Sequence, residues 1–411
     1  MDYREEEMSS SIIIGVGKYS AKYKVTNKDL SKFILHNFCA LERKRFKYDK
    51  LIGINARNWE TWHPNQKGKE SLLKGYPSNG KSIFSNSWHF IHDELKAGKI
   101  DAKKLYDSGM AYLAAKDAIQ SAEIHPKEID VVIYCSSTPD LLIQQQSGKI
   151  AEALGVKGVF VQDIIAGCTG FLDGLYFADK LIKSGEVKTV LVTGSNMISN
   201  YARWYFDAKG NDTKISFGHP GWYSAVIFGD GAGAAVITKG KNNDTGFVYS
   251  FGEYEAKDNP AVLAAGGSAV GITHETLDKC LEQFYVHHGL VKKNASTLME
   301  RAFNGVIRKC RDAGKGTFGI DDFDYFIPHQ PSIGVLKESA EKIGVANNKM
   351  LDELENYGNM VCANLPVIIT NNISCFKEGM LLMFLVIGGG CKYGASIYRC
   401  GDEFEKMMNR K

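Results

Sequence analysis

The sequence runs through one order of elements twice, and that repetition limits the chain to folds built from two like halves. In the first copy a helix-like stretch at residues 108–122 leads through His125 and Pro126 into IDVVIYCSSTPD, an apolar run closed by Pro139. In the second, a helix-like stretch from Leu298 to Asp312 leads into FDYFIPHQPS, also closed by proline. Setting Asp324 on Asp130 places His329 on Cys135, each five residues beyond its aspartate. Cys168 then lies 38 residues after Asp130, and Asn359 lies 35 after Asp324. Each opens an apolar, helix-like stretch that stops at a glycine, FLDGLYFADKLIKSG or MVCANLPVIITNNISCFKEG, and a buried strand follows, KTVLVTG or LLMFLVIGGG. SIIIGVGK near the start is answered by AGAAVITKG after Asp230. The pattern predicts two α/β halves, each a mostly parallel sheet faced by helices, with residues 1–224 forming one half and 225–411 the other.

Composition excludes several classes. At 411 residues, 44% hydrophobic and 24% charged, the chain can bury a large core, and its net charge of +3 demands neither nucleic acid nor an anionic membrane. The acidic, polar start MDYREEEMSS does not read as a signal peptide. The longest apolar run, Met380 to Ile387, is too short to cross a bilayer. Nine cysteines with no C-x-x-C pair fit reduced thiols in a cytoplasmic protein and no zinc site. A basic cluster at Arg43, Lys44, Arg45, Lys47 and Lys50 reads first as a solvated face, and second as a contact for an acidic partner.

Chemistry points to DIIAGCTGF, residues 163–171. A β-branched run precedes Cys168, and Phe171, Leu175, Ala178 and Ile182 recur at helical spacing after it, so the thiol sits where a strand passes into a helix. Free N–H groups and the helix dipole there favour a thiolate and a lowered pKa. The competing reading is a small buried cysteine filling a gap. A nucleophilic cysteine usually works with a histidine. His329, placed at a strand end between Pro328 and Gln330-Pro331, is the best of ten, against the alternative of a core histidine. Asn359, between a glycine and an apolar stretch, reads by default as a helix N-cap. If the duplication holds, Cys168, His329 and Asn359 can converge near its pseudo-two-fold axis.

These residues lie in motifs that resemble ketoacyl-ACP synthase III, a branch of the thiolase-like condensing enzymes. The chain carries AGCTGFLDGL around Cys168, FIPHQP around His329 and NYGNMVCANLP around Asn359. It also has FGDGAGAAV at Phe228 to Val236, Thr138 to Asp140, and GGGCKYG at Gly388 to Gly394. The resemblance implies a thiolase-like duplicated fold with a layered αβαβα core. It implies acyl transfer to Cys168 from coenzyme A or a carrier protein, then decarboxylative Claisen condensation with a malonyl thioester. His329 and Asn359 would stabilise the enolate, and the backbone N–H groups of Cys168 and Gly389 would form the oxyanion hole. Ile143 would stand in an acyl pocket shared across a homodimer. No cofactor or metal is implied beyond the thioesters of coenzyme A or acyl carrier protein.

Several positions depart from the family pattern. Its coenzyme A-gripping segment is only echoed in LIGINAR at Leu51 to Arg57, Gly334 stands where an arginine is usual, and HQPS replaces HQAN. Ile143 replaces an aromatic residue, and extra length lies near residues 55–105 and 240–300. Fatty-acid initiation and specialised-metabolite assembly both fit, with non-condensing acyl transfer to an alcohol or amine as the alternative. A catalytically silent subunit would lack the cysteine.

Overall fold

The computed structural model describes residues 10–31, 53–60, 106–140, 143–199, 227–241, 243–255, 262–264, 284–286, 288–388 and 390–409. The basic cluster at residues 43–50, most of the extra length and Gly389 lie outside them. The strands are β1 (Ser11–Ser20), β2 (Tyr23–Thr26), β3 (Ala56–Trp59), β4 (Val131–Cys135), β5 (Phe160–Ile164), β6 (Thr189–Asn196), β7 (Gly231–Lys239), β8 (Gly246–Tyr254), β9 (Val262–Ala264), β10 (Phe284–Val286), β11 (Tyr325–Pro328), β12 (Leu381–Ile387) and β13 (Lys392–Arg399). The helices are α1 (Asp107–Ala122), α2 (Gln146–Ala153), α3 (Gly170–Lys183), α4 (His288–Asp312), α5 (Ile333–Ile343), α6 (Leu354–Tyr357), α7 (Asn364–Asn371) and α8 (Glu403–Asn409).

Two large sheets share one topology. The first has the order β1-β7-β6-β4-β5 and the second β8-β13-β12-β11. In each, the strand after the anchoring aspartate pairs in parallel with one neighbour (β4 with β6, β11 with β12), and the next two pairings are antiparallel. A lone parallel bridge from Phe326 to Met350 stands where the first sheet has β5.

Alternation along the strands builds the layers. On β4, Val131, Ile133 and Cys135 join the central cluster, whereas Val132 and Tyr134 face α1 and α2. On β12, Leu382, Phe384 and Val386 face inward, whereas Leu381, Met383, Leu385 and Ile387 join the cluster of α4 and α5. The runs are apolar throughout because both faces are covered. The central cluster also takes Phe171, Leu175, Ala178 and Ile182 from α3 and Leu365, Ile368 and Ile369 from α7, so these two helices form the middle layer. The result is the expected αβαβα stack.

The two aspartates do the same work in both halves. Asp130 N donates to Thr189 O at 2.9 Å, and its carboxylate accepts from Lys188 N and Thr189 N. Asp324 N donates to Leu381 O at 2.9 Å, and its carboxylate accepts from Leu381 N at 2.9 Å. Each ties the start of its strand to the start of the next.

Two expectations need correction. β7, which contains AGAAVITK, does not mirror β1: the two pair directly, Val16 opposite Ala235, in the first sheet. The counterpart of β1 is β8. The division at residues 224 and 225 lies outside the described residues, but β7, assigned by it to the second half, belongs to the first sheet. By sheet membership the halves change over between Lys239 and Gly246. The physical reason is that an apolar pattern carries no information on which strand pairs with which, so runs of like composition match in chain order.

Removing either anchor leaves strand-end amides without their acceptor. Asp130→Ala and Asp324→Ala should each lower the unfolding free energy by about 1 kcal/mol in denaturant titrations. The loss should be at least as large for Asp130, which serves two amides.

Candidate active site

β5 ends at Ile164, and the chain enters α3 through a 3₁₀ turn, Gly167–Thr169, with Cys168 at its middle. Gly167 adopts φ +55°, a left-handed conformation that glycine takes without strain. The second half has the same device. The 3₁₀ turn Val361–Ala363 opens α7, with Cys362 at its middle and Val361 also at φ +55°. Cys362 lies 38 residues after Asp324, as Cys168 does after Asp130. The structural mirror of Cys168 is therefore Cys362, and Asn359 stands three residues ahead of it. The two turns touch each other, and α3 packs against α7.

The mirror cysteines differ in setting. Cys168 is partly exposed, whereas Cys362 is buried with its thiol near Cys135 O at 3.1 Å, Asn196 Oδ1 at 3.1 Å and Ser195 O at 3.3 Å. Burial holds the Cys362 thiol well above its usual range. The same cause pushes Cys168 up to about 12, opposed by its own backbone N–H. The expected lowering is thus absent: the helix N-terminus is present, but enclosure by protein outweighs it.

His329 follows the end of β11, its N–H donating to Leu385 O at 2.7 Å. Gln330 fixes that strand end, donating through Nε2 to Pro328 O and Leu351 O and accepting from Glu353 N. Ser332, in the altered HQPS, caps α5 by accepting from Val335 N. The imidazole is 2% exposed, and burial pulls its pKa down to about 3, offset in part by the Val361 backbone and the Asn364 side chain. It is neutral throughout the ordinary pH range.

Asn359 is held by its backbone between Ile227 and Gly229, accepting from Gly229 N at 3.0 Å and donating to Ile227 O at 3.1 Å. A Cβ at Gly229 would stand 2.2 Å from Tyr357 O, so only glycine admits this approach. Here the FGDG and YGN motifs lock together. The Asn359 Oδ1 accepts from Val361 N at 2.8 Å. The cap reading holds for the oxygen, which caps the turn, and the Nδ2 donors are not used by it. Nearby, Asp230 accepts from Glu60 N and Ser199 N, and burial pushes its carboxyl up to about 7.

The turn Val361–Ala363 is where the parts meet. It touches the Cys168 turn, its first residue binds the Asn359 amide, and the Val361 backbone lies against His329. On the opposite side Gly388 closes on the Cys168 turn, where a Cβ would stand 3.0 Å from the Thr169 side chain. Gly389 itself lies outside the described residues. Ile143 is 96% exposed and makes little contact with its own chain. Arg57 of LIGINAR is buried, its guanidinium donating to Asn27 Oδ1 at 2.9 Å. In Thr138-Pro139-Asp140, the threonine donates to Asp107 and the aspartate accepts from Ser108 N, so this motif fastens the start of α1. Sequence reasoning missed Val361, Cys362, Asn364 and Gln330; the equal 38-residue spacing of the two cysteines was the available signal. Among the described residues no cluster of side chains could hold a metal ion.

A raised thiol pKa has a direct readout. Alkylation of Cys168 by iodoacetamide, followed by peptide mass with Cys168→Ala as control, should keep accelerating from pH 7 to pH 10. A plateau below pH 8 would mean that the thiolate is already formed there.

Comparison with known proteins gives a consistent picture. Residues 162–253 match the family described as 3-oxoacyl-[acyl-carrier-protein (ACP)] synthase III, and residues 315–400 match its C-terminal counterpart. The beta-ketoacyl-[acyl-carrier-protein] synthase III of Solibacter usitatus is 31% identical over 321 residues, 77% of this chain and 90% of the relative. That of Aquifex aeolicus is 29% identical over 320 residues, 77% of this chain and 91% of its own. In fold, the crystal structure of the Aquifex aeolicus 3-oxoacyl-[acyl-carrier-protein] synthase III superposes with a TM-score of 0.68 at 24% identity, covering 95% of this chain and all of that one. OleA of Xanthomonas campestris, in a cysteine-to-serine form with bound lauric acid and lauroyl-CoA, gives 0.72 at 16% identity, covering 96% of this chain and 100% of that one. Sequence motifs, fold and relatives agree: the chain belongs to the 3-oxoacyl-[acyl-carrier-protein] synthase III family of enzymes.

Proposed function

We propose that this enzyme joins a cysteine-bound acyl group to a malonyl thioester by decarboxylative Claisen condensation. The observation that carries the reading is the Asn359 amide. Its oxygen is committed to Val361 N, so what it has left for a ligand is donors, beside a neutral imidazole. Two neutral donors suit an enolate oxygen, which needs stabilisation at the moment charge develops and not before.

In the first half-reaction Cys168 Sγ attacks the thioester carbonyl, its proton leaves with the departing thiol of coenzyme A or a carrier protein, and acyl-Cys168 forms. In the second, the malonyl carboxylate departs as carbon dioxide. The electron pair moves into an enolate held by His329 Nε2–H and Asn359 Nδ2–H. The enolate carbon attacks acyl-Cys168, the N–H groups of Cys168 and Gly389 hold the tetrahedral oxygen, and collapse expels Cys168 to leave a β-ketoacyl thioester. Splitting one condensation into two steps is what the nucleophile contributes. Acyl-coenzyme A and a malonyl group on acyl carrier protein are the substrates that the named relatives support, in fatty-acid initiation or specialised-metabolite assembly. No further cofactor enters.

A homodimer is part of the proposal. Among the described residues β5 is the outer strand of its sheet, with Phe160 62% exposed and Ile165, just past its end, 58% exposed; Tyr176 and Phe177 on α3 are exposed as well. An unpaired strand edge beside apolar side chains suits pairing with a second copy. That arrangement would give Ile143 a partner subunit to enter. Light scattering should report twice the chain mass, and Phe160→Asp should shift it toward the monomer. A wild-type monomer would remove the shared pocket from the proposal.

Intact mass and carbon dioxide release separate the half-reactions. With acyl-coenzyme A, the wild type should gain one acyl group and Cys168→Ala none. With malonyl thioester, His329→Ala and Asn359→Ala should each slow decarboxylation by about 10²–10³-fold, the effect of removing one oxyanion donor. Acylation with no decarboxylation would leave transfer to an alcohol or amine as the function.

A further inference from the structure

An ion pair ties the turn from β12 into β13 to the nucleophile turn. Asp173, in the first turn of α3, accepts at Oδ2 from Lys392 Nζ at 2.6 Å and from Thr169 Oγ1 at 2.9 Å. The Thr169 hydroxyl has one proton, and the charged, nearer acceptor suits it better than Ala166 O at 3.2 Å. Thr169 follows Cys168 in the chain, and Lys392 is the first residue of β13. The Lys392 carbonyl in turn accepts from Gly388 N at 2.7 Å, and Cys391 N donates to Gly388 O at 3.1 Å. Gly388 comes back against Thr169, where a Cβ would stand 3.0 Å from the threonine methyl group. Thr169, Asp173, Lys392 and Gly388 thus form a closed ring of contacts beside Cys168.

We propose that Asp173 and Lys392 are positioning residues for acyl transfer: their ion pair sets the spacing between the Gly388 turn and Cys168 at which a tetrahedral oxygen is held. Their role rests on the acylation step proposed above, in which N–H groups from the two turns stabilise that oxygen. Neither side chain touches the substrate. The pair is partly open to solvent, Lys392 38% exposed and Asp173 18%, and such a pair contributes little to overall stability. Its leverage is geometric. Donors to a tetrahedral oxygen work at about 2.7–3.1 Å, and a misplacement of about 1 Å can cost about a hundredfold in rate. Arg308 and Lys309 line the same cavity of about 600 Å³, but among the described residues Lys392 is the one cation paired with Asp173.

Two reactions of the same sulfur separate positioning from folding. In acyl transfer the Cys168 Sγ–C bond forms while the thioester carbonyl oxygen takes up negative charge. The C–S bond to coenzyme A then breaks, and the thiol proton leaves with the departing thiol. In alkylation by iodoacetamide the Sγ–C bond forms as iodide departs and the proton passes to solvent, so no oxyanion appears. Burial and its own backbone N–H set the titration of Cys168, and loss of the ion pair leaves both in place.

Lys392→Met and Asp173→Asn are compared with wild type by intact mass, using acyl-coenzymes A from acetyl to lauroyl and, separately, iodoacetamide at pH 8. Each substitution should lower the maximal acylation rate by about tenfold or more. The half-saturating concentration should change by less than about threefold, and alkylation should stay within about twofold of wild type, because neither depends on the oxyanion. Lys392→Arg keeps a cation within reach of Asp173 and should recover most of the rate that Lys392→Met loses. Asp173→Asn combined with Lys392→Met should be no slower than the slower single variant, because one shared bond is lost only once.

Acylation at the wild-type rate in both single variants would overturn the proposal. So would equal losses of acylation and alkylation, which would make the pair a support of the cysteine turn alone. Losses that multiply in the double variant would make the two residues independent. A double variant restored to the wild-type rate would reduce Lys392 to neutralising the Asp173 charge, and either of these results also overturns positioning by the pair. A wild type alkylated at Cys168 but acylated by neither acyl-coenzyme A nor an acylated carrier protein would instead sink the acyl-transfer step, and the role of the pair with it.

Discussion

Everything at this site depends on two 3₁₀ turns pressed together where α3 and α7 begin. The middle layer of the stack consists of those helices, and their N-terminal turns meet within it. From that contact follow the position of Cys168, the capping of Asn359 Oδ1 by Val361 N, and the enclosure of His329 at the end of β11. Burial is the dominant electrostatic influence on the thiol and the imidazole. It keeps the imidazole uncharged and the thiol protonated.

The two turns are alike in shape and unlike in strain. Gly167 and Val361 hold the same left-handed φ, which glycine adopts freely and a β-branched residue does not. The surrounding packing must hold Val361 there, and Cys362, with three oxygens around its thiol, helps to fix that turn. One half of the duplication thus keeps a permissive turn with a partly exposed thiol. The other keeps a strained, buried turn that serves as a platform for Asn359 and His329. Divergence between the copies has left one cysteine partly open and made the other part of the scaffold.

Much of this was legible in the sequence, and for physical reasons. Asp130 and Asp324 sit at fixed places before apolar runs, and both tie strand starts together, so matching them found the duplication. The order of strands in a sheet was not legible: β1 and β7 are both apolar and glycine-bearing, and only the register Val16 to Ala235 reveals that they are neighbours and not counterparts. The cysteine, histidine and asparagine were readable from their motifs. Asn364 and Val361 were not, because a buried amide without partners and a left-handed valine leave no mark in composition or period. The thiol acidity was misjudged from the helix end alone, since enclosure is set by residues from the other half of the chain.

The placement of β7 bears on how the protein is made. Among the described residues β1 has one neighbour in its sheet, and that neighbour begins at Gly231. During synthesis the first strand must therefore wait, unpaired and apolar, until more than half of the chain has left the ribosome. The inner faces of the first sheet wait longer still, for α7 and β12. Folding from the N-terminus one half at a time does not suit this architecture, and a nascent chain interrupted in its middle would hold Cys168 beside a sheet whose inner face still lacks α7 and β12.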